Sequence, residues 1–73
     1  MFRIELKNFD EVSEFVDSAS KSNSEINLEG GSVYIDAKSF LGVLSMGLNR
    51  KLNVRVIGED QEFISRIKKF AVA

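Results

Sequence analysis

The sequence contains neither cysteine nor histidine. Without cysteine there are no disulfides, no thiolate catalysis and no zinc–sulfur sites. Without histidine, the usual general base and the commonest transition-metal ligand are also missing. The serines have no histidine base to activate them, so hydrolase chemistry has no candidate residue. We therefore expect a protein with no enzymatic activity, no metal and no other cofactor.

Long apolar runs and a strong charge of one sign are also missing. No run approaches the ~20 residues of a membrane span, and the N-terminal stretch MFRIELKNFD lacks the apolar region of a signal peptide. The formal net charge of −1 gives no electrostatic reason to expect nucleic acid. Hydrophobic residues make up 44% and charged residues 29% of the chain, which is typical of a globular protein. We expect one cytoplasmic domain over residues 1–73, with no membrane or nucleic-acid partner.

Apolar and polar residues alternate in four short stretches, a pattern typical of strands with one buried face. The predicted inward-facing residues are Phe2, Ile4 and Leu6; Ile26 and Leu28; Val33 and Ile35; and Leu52, Val54 and Val56. Gly30-Gly31 lies between the second and third stretches. It predicts a tight hairpin, because glycine adopts the positive φ that such turns require.

Three other stretches have helical apolar spacing. The first begins at Asn8, with Glu11 in capping-box spacing; the second begins at Ser39, and the third after Glu59 or Asp60. The apolar residues of the first are Phe9, Val12, Phe15, Val16 and Ala19, and those of the third are Phe63, Ile64, Ile67 and Phe70. The resulting order, β-α-β-β-α-β-α, predicts an α+β two-layer sandwich, with an antiparallel sheet covered by helices on one face.

The central helix, within residues 36–48, is too apolar to have a single buried stripe. At about 100° per residue, its apolar side chains cover an arc of roughly 220°. We expect Val43 and Met46 to lie in the core. The remaining residues should form an exposed apolar patch, the kind of surface that usually binds a partner. This predicted apolar patch consists of Phe40, Leu41, Leu44 and Leu48.

Residues 38–48, KSFLGVLSMGL, resemble the KSIMGVMSLGI-type segment of HPr, the small phosphocarrier of the bacterial sugar phosphotransferase system. A looser resemblance extends from Ala19 to about Phe70. The resemblance implies the HPr fold, an open-faced βαββαβα sandwich with strand order 1-4-2-3 and three helices on one face. It also implies partners: phosphotransferase enzymes and a regulator of sugar-operon transcription, which dock on the surface equivalent to the apolar patch.

The resemblance fails at the family's phosphorylated histidine, which lies between the first strand and the first helix. Here that junction is Lys7-Asn8-Phe9-Asp10, several residues shorter, and the histidine position falls near Asn8. Asparagine is not a phosphoryl nucleophile, because its amide nitrogen has no available lone pair. Asp10 has no supporting cations for an acyl phosphate. We interpret Lys7, Asn8, Phe9 and Asp10 as a degenerate active-site loop in which Asn8 and Asp10 begin the helix.

Ser39 has two interpretations. It is either only a helix cap, or a regulatory serine phosphorylated by a kinase, as the resemblance implies for HPr of low-GC Gram-positive bacteria. The chain is similar to a catabolite-repression paralogue of HPr, which lacks the histidine, keeps the serine and acts in regulation only. The first hypothesis is thus a non-catalytic, protein-binding regulator in sugar transport or carbon catabolite control. The alternative is a structural module that forms a homodimer through the apolar patch.

Overall fold

The computed structural model describes residues 2–73, so Met1, the first residue of the predicted domain, lies outside the described residues. The strands are β1 (Phe2–Glu5), β2 (Glu25–Gly30), β3 (Val33–Asp36) and β4 (Lys51–Ile57). The helices are α1 (Phe9–Ser20), α2 (Phe40–Ser45) and α3 (Gln61–Ile67), and α3 continues directly into a 3₁₀ turn (Lys68–Phe70). This order confirms the βαββαβα prediction.

The four strands form one antiparallel sheet in the order β1-β4-β2-β3, which confirms the predicted 1-4-2-3 arrangement. Strand β4 lies in the middle, where Val54 is opposite Phe2 on one side and Leu28 on the other. The outer edge of β1 is covered by the chain itself. Ile4 bridges to Ala71, and the N–H of Val72 donates to the carbonyl of Arg3 at 3.0 Å.

The core lies between the helices and one face of the sheet. The Phe15 ring of α1 meets the Phe63 ring of α3 edge to face, with centroids 6.1 Å apart. The fully buried residues include Ile4, Leu6, Val12, Phe15, Ala19, Ile26, Leu28, Val43, Leu52, Val54, Phe63 and Ile67. Most of the residues predicted to face inward are therefore buried, including Val43 and, at 5% exposure, Met46.

Each of the three α-helices begins at a polar side chain that accepts a hydrogen bond from a backbone N–H left without an intrahelical partner. Asn8 Oδ1 accepts from the N–H of Glu11 at 2.9 Å, and the Glu11 carboxylate accepts from the N–H of Lys7 at 2.9 Å. Ser39 Oγ accepts from the N–H of Gly42 at 3.1 Å. Of the two caps predicted for α3, the structure uses Asp60, which accepts from the N–H of Phe63 at 2.9 Å.

Two residues predicted to face inward are exposed. Phe9 is the first residue of α1 and is 61% exposed, because the buried face of the helix begins one turn later at Val12. Val33 is 55% exposed, because it lies at the turn end of an edge strand. Of Val33 and Ile35, helix α2 covers only Ile35. If Gly42 of α2 had a Cβ atom, that atom would lie 3.2 Å from Ile35 Cδ1.

The hairpin turn is also shifted from the prediction by one residue. Gly30 pairs with Val33, so the two-residue turn is Gly31-Ser32 rather than Gly30-Gly31. Gly31 has a φ of 61°, which is the conformation for which glycine is favoured in this turn. Gly30 remains in the strand, and a Cβ there would lie 2.7 Å from Leu52 Cδ2, so glycine also permits close packing.

Helix α2 is shorter than its apolar spacing predicts. It ends at Ser45, and Leu48, predicted to continue the helix, lies beyond it. Gly47 has a φ of 101°, and its N–H donates to the carbonyl of Leu44 at 3.1 Å. A glycine in this conformation just after the cap residue is a common way to end a helix.

Candidate functional site

Ser39 lies in an ordered turn between β3 and α2. Its own N–H donates to the carbonyl of Asp36 at 3.1 Å, and its exposed side chain caps α2. The preceding Lys38 is held at both ends: its N–H donates to the Asp36 carboxylate at 2.9 Å, and its Nζ donates to the carbonyl of Ser22 at 2.9 Å. The Ser39 hydroxyl is therefore at the surface, on a backbone fixed from both sides.

The predicted apolar patch follows directly after Ser39. Leu41 is 75% exposed, Phe40 is 37% exposed and Leu48 is 36% exposed, whereas Leu44 is half-buried and packs against the core. Three of its four residues thus present apolar surface. Because Leu48 lies past the end of α2, the patch extends from the helix onto the loop that follows it.

The predicted degenerate active-site loop, Lys7 to Asp10, is exposed throughout. Their hydrogen bonds are local and belong to the start of α1. The Asn8 side chain takes the N–H of Glu11, and the Glu11 carboxylate takes the N–H of Lys7. Two backbone N–H groups at the beginning of this helix are therefore already bonded by the chain's own side chains.

A backbone hydrogen bond links Leu6, the residue before this loop, to the region of the apolar patch. The N–H of Asn49 donates to the carbonyl of Leu6 at 2.8 Å, which joins the segment after α2 to the end of β1. Phe9 and Leu48 are each within three residues of this bond along the chain. Phe9 is thus an exposed aromatic residue close in sequence to this hydrogen bond, although its apolar spacing predicted that it faces inward. The signal that identifies it is the Asn8 cap, which makes Phe9 the first residue of the helix.

Several charged residues elsewhere are paired with an opposite charge. Arg55 Nε is 2.6 Å from a carboxylate oxygen of Glu29 across the open face of the sheet. That hydrogen bond raises the pKa of Arg55, and the negative charge of Glu29 raises it further. Within residues 2–73, no group of three acidic side chains is placed to hold a metal ion. In the same residues, no helix is long and apolar enough to cross a bilayer.

The candidate site is therefore a surface and not a cavity. It consists of the Ser39 hydroxyl and the apolar patch beside it. An apolar surface of this kind binds another protein by removing its side chains from water.

A known protein family matches most of the chain. The family model described as PTS HPr component phosphorylation site matches residues 11–72. The match includes Ser39 and the whole apolar patch, and it begins just after Asp10.

Two solved structures have a similar fold. HPr-C-His from Thermoanaerobacter tengcongensis is similar, with a TM-score of 0.75 and 28% identity over 92% of this chain and 84% of that chain. A phosphocarrier protein HPr from Bacillus anthracis strain Ames has the same fold, with a TM-score of 0.73 and 19% identity over 96% of this chain and 93% of that chain.

Proposed function

Because this chain belongs to the HPr family of the phosphotransferase system, we propose that it is a cytoplasmic, single-domain regulatory member of that family and not a phosphohistidine carrier. The observation that carries this proposal is the absence of histidine from all 73 residues. A phosphoryl group cannot be carried on a side chain that the protein lacks. What the chain retains is the segment containing Ser39 and the apolar patch.

The contact surface in this proposal is the apolar patch. Leu41, at 75% exposure, is its most exposed residue, and Phe40 and Leu48 extend it on either side. The partners are phosphotransferase proteins or proteins that regulate transcription of sugar operons. No enzymatic activity, cofactor or metal is part of the proposal.

The switch in this proposal is phosphorylation of Ser39 by a serine kinase. A phosphoserine adds about −1.5 to −2 charges at neutral pH. Because Phe40 and Leu41 follow immediately, that charge would be placed at the border of an otherwise apolar surface. Phosphate oxygens also accept hydrogen bonds, so the modification is compatible with the cap bond to the Gly42 N–H. We therefore expect phosphorylation to alter partner binding without unfolding α2.

The test is incubation of the protein with ATP and an HPr serine kinase from a Gram-positive bacterium, followed by intact-mass measurement. We expect wild-type protein to gain one phosphate and Ser39→Ala to gain none. Ser45→Ala is the matched control, because Ser45 is the other serine of the segment and is also exposed; it should gain one phosphate. A phosphate that still appears in Ser39→Ala, or no phosphate on the wild type, contradicts the proposed switch.

The alternative function is self-association through the apolar patch, with Ser39 acting only as the cap of α2. The exposure of Leu41 is the observation that favours it, since a large apolar side chain gains most from being covered. Sedimentation velocity over a concentration series, with Leu41→Asp beside the wild type, distinguishes the two functions. A dimer that Leu41→Asp dissociates supports self-association through the apolar patch. Sedimentation that Leu41→Asp leaves unchanged, together with uptake of phosphate at Ser39, supports regulation.

A further inference from the structure

The sheet has two edges, and the structure treats them differently. The outer edge of β1 is covered by Ala71 and Val72. No residue within 2–73 pairs with the outer edge of β3, whose sequence is VYID. Natural edge strands are protected by lysine, proline, bulges or shortness. Strand β3 has neither lysine nor proline, and its register with β2 is regular, so its four-residue length is its main protection.

The backbone groups that face this open edge follow from the ladder with β2. The N–H of Ala37 donates to the carbonyl of Ile26 at 2.9 Å. Because hydrogen-bonded pairs alternate in an antiparallel ladder, Ile35 and Val33 also direct their backbone groups towards β2. Tyr34 therefore directs both its N–H and its carbonyl towards the open edge, and Asp36 directs its N–H there. The carbonyl of Asp36 already accepts from Ser39.

The side chains of β3 are unusually apolar for an exposed edge. Tyr34 is 69% exposed on the open face of the sheet, and Val33 is 55% exposed on the helix side. Ile35 is on the same side as Val33 and is half-buried under α2. The edge thus offers both unpaired main-chain groups and apolar side chains.

We propose that β3 is a pairing site for β3 of a second copy of this chain. The two strands run antiparallel about a two-fold axis at Tyr34, so that the two sheets form one continuous eight-stranded sheet. In this register Tyr34 lies opposite its own counterpart, Val33 lies opposite Ile35, and Ser32 lies opposite Asp36.

The main-chain groups and side chains both favour this register. Residues directly opposite each other in an antiparallel pair point to the same face, which restricts the register to steps of two. With Tyr34 opposite Tyr34, its N–H and carbonyl exchange two hydrogen bonds between the copies. The N–H of Asp36 then meets the carbonyl of Ser32, and the Asp36 carbonyl keeps its bond to Ser39. Val33 is covered by an apolar residue, and no two like charges lie opposite each other.

The proposed interface is small, and its size limits the affinity of the dimer. Five residues of each copy, 32–36, take part in the pairing. This is less than the roughly 20–30 residues a side of a specific, stable complex. The pairing is accordingly a weak and concentration-dependent dimer, in which main-chain hydrogen bonds carry most of the contact.

Cysteine cross-linking tests the register, because the natural chain has no cysteine. Opposite residues of a hydrogen-bonded pair have Cα atoms about 5.5 Å apart, within the range that a disulfide spans. Tyr34→Cys should therefore form a disulfide-linked dimer under mild oxidation. Leu41→Cys and Asp36→Cys are the controls. Leu41 is similarly exposed but lies on α2, and Asp36 lies on β3 but is opposite Ser32 in the proposed register. Both should form the disulfide at least about tenfold more slowly, because the pairing does not bring the two cysteines together. Equal rates for the three variants would overturn the proposal.

Sedimentation equilibrium up to about 1 mM tests the association itself. We expect wild type and Leu41→Asp to dimerise equally, and Val33→Lys and Tyr34→Pro to remain monomeric. The proline variant removes only the outward N–H and leaves the ladder with β2 intact. If the proline variant fails to fold, Val33→Lys still tests whether β3 forms the dimer interface. A wild type that is monomeric throughout, or a dimer that Leu41→Asp dissociates and Val33→Lys does not, would exclude pairing through β3.

Discussion

Ser22 shows how one small side chain joins three separate segments. It is only 7% exposed, and its hydroxyl donates to the Asp60 carboxylate and accepts from the N–H of Ser24 at 3.0 Å. Its carbonyl accepts from Lys38 Nζ. The loop after α1, the start of α3 and the turn before Ser39 are therefore connected through Ser22. The sequence shows only a serine in a polar run, and the partners of such a residue are set by tertiary contacts.

The contact between Ser22 and Asp60 predicts that the free energy of unfolding depends on pH. The hydrogen bond from the Ser22 hydroxyl stabilises the charged carboxylate of Asp60, and the bond from the Phe63 N–H adds to this effect. Together they hold the pKa of Asp60 below its ordinary value. The contribution of these bonds to the free energy of unfolding is complete above the pKa of the unfolded chain, about 4. It is lost as the pH falls through the lower pKa of the folded state.

Carboxyl-carbon NMR titration of Asp60 checks this prediction. The pKa of Asp60 should be low in wild type and should rise towards the ordinary value in Ser22→Ala. Ser20→Ala, which changes an exposed serine at the end of α1, should leave it unchanged. An Asp60 pKa that is the same in wild type and Ser22→Ala would show that the hydrogen bond does not form in solution.

At the scale of elements, α2 shows what local sequence predicts and what it does not. The cap at Ser39 is a local feature, and the sequence located it correctly. Apolar spacing continues past Gly47, so periodicity alone extended the helix to Leu48. The backbone conformation of Gly47 ends it earlier. Likewise, alternation predicted that Val33 faces the helix side of β3, but not that α2 stops short of covering it.

The end of α2 can be tested at Gly47. A Cβ at this position would have no atom within 4 Å, so any cost of a substitution comes from the backbone and not from crowding. Gly47→Ala should lower the free energy of unfolding by about 1–2 kcal/mol, because an L-residue is disfavoured at positive φ. Gly47→Asn should cost less, since asparagine tolerates positive φ better. Urea unfolding measures both, and equal stability of wild type and Gly47→Ala would contradict this account of the helix end.

At the scale of the whole molecule, the fold depends on one core between the helices and the sheet. The alternation, the helical spacing and the resemblance together predicted the order of elements and the order of strands, because these depend on patterns along the chain. The exposure of Phe9 was not predicted, because it depends on where the helix begins relative to the sheet. The fold was thus more predictable than the exposure of single apolar residues at the ends of its elements.

Phe15 and Phe9 provide a matched test of this core, since both are phenylalanines of α1. Phe15 is fully buried against Phe63, whereas Phe9 is 61% exposed. Phe15→Ala should cost about 3–5 kcal/mol. That is much of the roughly 4–11 kcal/mol expected for a domain of this size. Phe9→Ala should change the free energy of unfolding by less than about 0.5 kcal/mol. Thermal unfolding followed by circular dichroism measures both, and similar losses for the two variants would contradict the observed packing.

The covering of β1 by residues 71 and 72 has a consequence for how the sheet assembles. Phe2 pairs with Val54 and Ile4 pairs with Ala71, so β1 gains its neighbours only when loops of roughly fifty to seventy residues close. The hairpin of β2 and β3 joins residues that are neighbours in the chain, and its loop-closure entropy is small. On a ribosome, β1 emerges first but is among the last strands to be paired. The sheet therefore grows from the β2-β3 hairpin at one edge, through β4, to β1 at the other edge. Strand β1 remains unpaired until β4 has been synthesised.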